Sequence, residues 1–114
     1  MLLWNMDANR PFDALAAGGV LVIRIRKEFD AGVLHQGWVG SIQRDFPGPF
    51  DDVVLDMGLC GLVSSTFFAG MVQLHHHYVT GKQSPRIVVR HPDPRVVRNL
   101  NILHLAPLFT VEPR

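Results

Sequence analysis

The clearest pattern of apolar and polar positions lies in residues 20–26, VLVIRIR. The odd-numbered residues of this segment are aliphatic, and its last two even-numbered residues are arginines. A period of two is typical of a strand with one buried face. Just upstream, a run of small residues ends in Gly18 and Gly19, which predicts a short edge strand joined to this one by a glycine turn.

Apolar residues recur about every four positions in three later segments, as they do on one face of a helix. The first segment starts at Asp30, a suitable cap, and stops at the Pro-Gly-Pro of 47–49. The second begins near Ser64 and ends at Gly81, and the third is initiated by the Pro-Asp-Pro of 92–94. The predicted buried stripes are Leu34, Trp38 and Ile42; Phe68, Met71, Val72, His75 and Val79; and Val96, Val97, Leu100 and Leu103.

Two further strands separate these helices. Residues 52–57 are mostly apolar, as in a strand covered on both faces, and residues 86–90 read RIVVR. The tail LFTVEPR is expected to add a short strand or a helix-like turn. Because the strands alternate with helices, the chain is predicted to form a single α/β domain over residues 1–114. Its core would be a mixed central sheet of four to five strands with three or four helices packed on it.

Composition excludes several classes of protein. The net charge is +1 and the basic residues are scattered, so the sequence shows no basic patch of the kind that binds nucleic acids. No segment approaches the roughly 20 apolar residues of a membrane span, and the N-terminus lacks the features of a signal peptide. We therefore expect a soluble, cytoplasmic protein with no direct membrane insertion. The single cysteine, Cys60, excludes an internal disulfide and is predicted to be buried.

Candidate catalytic and metal-binding residues are weak. The three histidines of 75–77 point about 100° apart on a helix, and no ligand lies four residues from any of them. Cys60 has no activating neighbour, and the acidic pair at 51–52 precedes a strand and alternates faces. We therefore predict no metal, no cofactor and no enzymatic activity.

The segment DDVVLDMGLCGLVSST, residues 51–66, carries the most informative chemistry. Its strand ends in Asp56, and its apolar loop ends in three hydroxyl residues where the second helix begins. One interpretation is structural: Ser64 caps the helix and Asp56 bonds loop amides. The other is that a hydroxyl in the first helical turn is displayed for modification or binding, because a phosphate there would be stabilised by free amides and the helix dipole.

This arrangement resembles the STAS family, the domain shared by sulfate transporters and bacterial anti-sigma factor antagonists. The likeness rests on a strand ending in aspartate, a short loop and serines opening a helix, and it extends over roughly residues 20–112 with PRIVVRHPDPRVVRNLNILHLAPLFTV as the later part. Asp56 matches the family's strand-ending aspartate, and Ser65 falls on the serine that is phosphorylated in antagonist members. Ser64 stands where the family has aspartate, Thr66 matches the following serine or threonine, and Phe67 stands where glycine is common.

The resemblance implies a non-enzymatic regulator that binds an anti-sigma factor or serine kinase and takes part in bacterial transcription control and signal transduction. Ser65 would be the phosphoacceptor, with Ser64 and Thr66 as second choices. The predicted partner-binding residues are Asp56, Ser64, Ser65, Thr66, Phe67 and Phe68. The alternative is an accessory subunit of a transporter or lipid-trafficking complex, without a phosphorylation switch and held by an apolar contact through the two phenylalanines. A homodimer is left open.

Overall fold

Five strands and three α-helices form the part of the chain that the computed structural model describes, residues 12–26, 38–61, 63–79 and 87–113. Their order confirms the predicted α/β class with a mixed sheet. The elements are β1 (Phe12–Ala17), β2 (Val20–Ile25), α1 (Trp38–Asp45), β3 (Asp52–Asp56), α2 (Ser65–Tyr78), β4 (Ile87–Arg90), α3 (Pro94–Ile102), a 3-10 turn (Ala106–Leu108) and β5 (Phe109–Glu112).

The strands lie side by side in chain order. β1 and β2 are antiparallel, and β2 through β5 pair in parallel. Gly18 and Gly19 join β1 to β2 with φ of +56° and +79°, as a tight hairpin of right-twisted strands requires. The carbonyl of Gly19 also accepts the amides of Asp51 and Asp52, which ties the hairpin to the start of β3. The predicted edge strand and glycine turn are confirmed.

One face of the sheet forms the core with the three helices. The aliphatic residues that alternate along β2, Leu21, Ile23 and Ile25, are fully buried in it, as predicted. Parallel strands that follow one another in a single direction, joined by right-handed crossovers, receive their helices on the same side. The helical members of this core include Trp38, Ile42, Phe67, Met71, Leu74, Val96 and Leu100.

A row of charged residues crosses all five strands at the opposite face. Neighbours in the row are direct register partners, and their signs alternate: Asp13, Arg24, Asp56, Arg90 and Glu112. Side chains opposite one another on adjacent strands lie on the same face, where unlike charges are favourable. Arg24 and Arg26 both bond the buried carboxylate of Asp13, and Arg90 lies 3.5 Å from Glu112. Asp56 is the member of the row that lies on the central strand, β3, and it is the last residue of that strand.

One prediction about burial is wrong. Leu103 is 48% exposed, because α3 ends at Ile102 and Leu103 follows it in a turn. The side chain of His77 is half-buried, and its Nε2 lies 3.1 Å from the carbonyl oxygen of Pro47. The predictions for Asp30, Leu34, Gly81 and Arg86 lie outside the described residues.

Candidate functional site

Ser64, Ser65 and Thr66, the hydroxyl cluster at the start of α2, lie at the edge of the sheet where the parallel strands end. β3 and β4 both end there, and each is followed by a loop that leads into a helix. Ligands and partners of α/β proteins commonly meet this edge, because the loops there are free to vary while the strands hold them in place. The position of the edge follows from the parallel pairing of β3 with β4.

The loop from β3 to α2 is fixed at its start. The Oδ1 atom of Asp56 accepts the Gly58 amide at 3.0 Å, and the Met57 amide donates to the Arg90 carbonyl at 2.9 Å. Cys60 is 2% exposed, as predicted, and its Sγ lies 3.7 Å from the carbonyl oxygen of Met57. Asp56 thus has the structural role of a strand-end carboxylate that bonds a loop amide.

Ser64 occupies the N-cap position of α2, with extended backbone angles of φ −78° and ψ 168°. Its carbonyl accepts the Phe67 amide at 3.0 Å, but its side chain does not form the cap hydrogen bond. The structural interpretation of Ser64 is therefore confirmed for its backbone and wrong for its hydroxyl.

Ser65 and Thr66 are exposed on the first turn of α2, while Ser64 is half-buried. The helix has 14 residues and no acidic side chain in that turn. Its first amides and the positive end of its dipole therefore meet no local negative charge from the helix itself. An added phosphate at Ser65 would be electrostatically favoured there.

Phe67 and Phe68 do not belong to this surface. Their exposed fractions are 0% and 4%, so neither ring can contact a partner, and their prediction as partner-binding residues is wrong. Successive helical residues point about 100° apart, which turns these two side chains into the core while residues 65 and 66 face solvent. The Phe67 ring stacks on Trp38 of α1, with ring centroids 4.8 Å apart.

Gly70 is a positioning residue that the sequence interpretation missed. A Cβ atom at this position would lie 2.7 Å from Cε2 of the Trp38 indole and closer still to its Nε1. Because Gly70 has no side chain, the Trp38 ring of α1 can pack closely against α2, about one turn after the exposed Ser65 and Thr66. A glycine inside a helix is unfavourable by about 1 kcal/mol relative to alanine. Its presence within the α2 sequence was therefore the available signal that a close packing contact requires it there.

Other groups at this edge are Leu59 and His91. Leu59 is 59% exposed in the turn after β3. His91 is exposed and has a left-handed backbone with φ of +54°, and a Cβ built on Gly58 would lie 3.7 Å from its own Cβ. The two loops therefore lie side by side at this edge, where the Met57 amide also donates to the Arg90 carbonyl.

The described residues form neither a metal-binding cluster nor a membrane-spanning helix. No cluster of three or more His, Cys, Asp or Glu residues in the described ranges is arranged to hold a metal ion. In the same ranges, no helix has both the length and the apolar character to cross a membrane.

No protein-family model matches the chain, and no curated protein sequence matches it significantly. The α/β fold therefore rests on the structure itself. The likeness to the STAS family remains a prediction from residues 51–66 and from the order of elements.

Proposed function

We propose that the protein is a regulatory interaction module similar to the anti-sigma factor antagonists of the STAS family. Its binding surface would comprise Asp56 and the turn of residues 64–66. One observation carries the proposal: Ser65 and Thr66 point to solvent from a turn whose next two residues are buried. The proposed setting is the bacterial cytoplasm, with an anti-sigma factor or serine kinase as the partner.

The hydroxyls are held in a fixed place, which favours recognition. Phe67 follows them directly, and its ring lies against Trp38. The start of the loop is held by two hydrogen bonds: the Gly58 amide donates to Asp56, and the Met57 amide donates to the Arg90 carbonyl. A preorganised surface loses little conformational entropy when a partner binds.

Phosphorylation of Ser65 would act as a switch by electrostatics. A phosphate adds about −1.5 to −2 charges at neutral pH. The whole chain carries a net charge of +1, so this is a large local change. A partner that docks on the uncharged turn would be released, and removal of the phosphate would restore its binding.

The alternative, a constitutive accessory subunit of a transporter or lipid-trafficking complex, is less well supported. That alternative requires an apolar contact through Phe67 and Phe68, but both side chains are buried in the core. An interface of that kind would require a different set of apolar residues.

The proposal can be tested by site-specific photo-crosslinking in cells of the source organism. A photoreactive amino acid replaces Thr66 in one variant and, as the matched control, His76 in another, since His76 is also exposed on α2 but lies in its last turn, about 15 Å along the axis and turned to another side. We expect a discrete protein adduct from position 66 that is absent from position 76. The adduct should also disappear when Ser65→Asp is added and persist with Ser65→Ala. Equal adducts from both positions, or none from 66, would refute the proposed surface.

A further inference from the structure

The face of the sheet opposite the helices carries a row of aliphatic residues beside the charged row. Leu15, Val22, Val54 and Val88 are consecutive register partners on β1 to β4, and Thr110 continues the line on β5. Each of these residues lies two positions from a member of the charged row on its own strand, so both rows share one face. We refer to the four aliphatic residues as the aliphatic row.

This face is less completely covered than the core face. Leu15, Val22 and Val88 are half-buried, and Val54 is 7% exposed. The residues that alternate with the row on β2 to β4 pack against the helices and are all 0% exposed: Leu21, Ile23, Val53, Leu55, Ile87 and Val89. Parallel strands with aliphatic residues on both faces are typical of a sheet that is covered on both sides. The aliphatic row therefore indicates a covering layer besides the described helices.

The charged row indicates which layer fits. Its sign is negative on β1 and β3 and positive on β2 and β4. Two copies of the chain related by a two-fold axis parallel to the strands would stack face to face, with each row on its own equivalent and the strands in reverse order. An axis on a strand would place like charges together. An axis midway between two strands places every charge against one of opposite sign.

We propose that this face binds a second copy of the chain, with the two-fold axis midway between β2 and β3. Arg24 of each copy then meets Asp56 of the other. The aliphatic row meets its counterpart over its whole length, Val22 against Val54 and Leu15 against Val88. An axis between β3 and β4 would also pair opposite charges, but it would place Val22 against Thr110 and leave Leu15 uncovered.

Arg24 can make the additional contact while it holds Asp13. Its side chain is 32% exposed although its Nη2 lies 2.9 Å from the Asp13 carboxylate. A guanidinium has five N–H donors, so it can bind a second carboxylate from the other copy. Asp56 is half-buried and is the direct register partner of Arg24, which places both residues at the same height on the face.

The contact is small, so the dimer is expected to be weak and reversible. Four strands about 4.8 Å apart give a patch only roughly 19 Å wide, at the low end for protein interfaces. Asp56 belongs both to this face and to the proposed partner surface, so a partner and the second copy would compete for it. The inference itself does not depend on the proposed function.

Sedimentation of the purified full chain over a range of concentrations tests the proposal. We expect the average mass to rise from the monomer value toward twice that value. Val88→Lys should weaken the dimer by about tenfold or more, because its ammonium group would be buried against Leu15 of the other copy. Thr110→Lys is the matched control, since it adds the same charge on the same face but on β5, outside the overlap. It should dimerise like the wild type.

A charge swap tests the arrangement itself. Arg24→Glu and Asp56→Arg should each abolish self-association, because like charges then meet at both symmetric contacts. An equimolar mixture of the two variants should recover the dimer, since both contacts between unlike copies pair opposite charges. Circular dichroism verifies that each variant is folded, and the comparison of Val88→Lys with Thr110→Lys decides the question if either charge variant is not.

Three results would overturn the proposal. The first is a wild-type chain that stays monomeric at every concentration. The second is a loss of dimer from Thr110→Lys as large as that from Val88→Lys. The third is a mixture of folded Arg24→Glu and Asp56→Arg chains that remains monomeric.

Discussion

The ring of Phe67 lies nearly parallel to the indole of Trp38, with an interplanar angle of 7° and ring centroids 4.8 Å apart. The two residues belong to different helices, and both are buried. Phe67 immediately follows the exposed Ser65 and Thr66, so the same turn contributes to the core and to the surface. This relationship separates the structural residues of the turn from those available to a partner.

The Phe67→Ala substitution should lower the free energy of unfolding by about 4 kcal/mol, since it removes a fully buried aromatic ring. Thr66→Ala, at the neighbouring exposed position, should change it by less than about 0.5 kcal/mol. Urea denaturation of both variants measures the difference. A comparable loss from Thr66→Ala would mean that the hydroxyl supports the fold, contrary to our assignment.

Gly70→Ala should destabilise the protein although alanine is the better helix former. The new methyl group would overlap the Trp38 indole, and we expect a loss of about 1–3 kcal/mol from this overpacking. Gly40→Ala provides the control, because a Cβ there meets no atom within 4 Å. It should raise stability by about 0.5–1 kcal/mol. If Gly70→Ala also raised the melting temperature, the close approach of α1 and α2 would be disproved.

Asp13 should make the stability depend on acid pH. Burial acts to raise the pKa of its carboxyl, but the hydrogen bonds and charges of Arg26 and Arg24 outweigh that effect and hold the pKa below its ordinary value of 3.8. The stabilisation is therefore complete above pH 3.8 and is lost as the pH falls through the lower folded pKa.

Asp13→Asn tests this linkage. At pH 7 it should lower the unfolding free energy by about 2 kcal/mol, because two partly buried arginines lose their carboxylate. The difference from wild type should narrow as the pH falls below 3.8 toward the lower folded pKa, where the carboxyl of the folded wild type also becomes neutral. Chemical denaturation across that range would contradict the assignment if the difference stayed constant.

Tyr78 should titrate well above an ordinary tyrosine. Burial raises its pKa to about 12 from 10.0, and its hydroxyl donates to the Phe46 carbonyl at 2.6 Å. It is the only tyrosine of the chain, so the ultraviolet absorbance of ionised phenol reports on it alone. Titration of the folded protein should give a midpoint near 12, whereas a midpoint near 10 would show that the ring is solvated.

The same group links stability to alkaline pH. Because the folded pKa is raised, its stabilising contribution is complete below pH 10 and is lost as the pH rises toward 12. Tyr78→Phe should be about 1 kcal/mol less stable at pH 7, where it lacks the hydrogen bond. The variant should also lack the loss of stability between pH 10 and 12 that ionisation of Tyr78 causes in the wild type.

The sequence was sufficient to predict elements whose pattern is local. The alternation of residues 20–26 identified β2 and its buried face, and the two glycines identified the hairpin. Both depend on backbone geometry over a few residues, which composition and period determine. The order of elements then yielded the α/β class with its parallel pairings.

Predictions failed where the answer depended on distant residues. Phe67 and Phe68 are predicted to bind a partner because they directly follow the hydroxyl residues, although the apolar period also places Phe68 in the buried stripe of the second helix; the period does not tell which of these apolar residues contact another element. The deciding contact is with Trp38, 29 positions earlier than Phe67 and on another helix. Leu103 continued the apolar spacing of α3, but the helix ends one residue before it. Neither a tertiary contact nor a helix end is fixed by periodicity alone.

The central claim, that the first turn of α2 is a switchable surface, is tested most directly by phosphate mapping. The purified protein is incubated with ATP and an extract of its own source cells, and tandem mass spectrometry locates the phosphate, with Ser65→Ala as the control. We expect phosphate on Ser65, with Ser64 or Thr66 as minor acceptors, and its loss from position 65 in the variant. An unmodified turn in an extract that phosphorylates other proteins would contradict it.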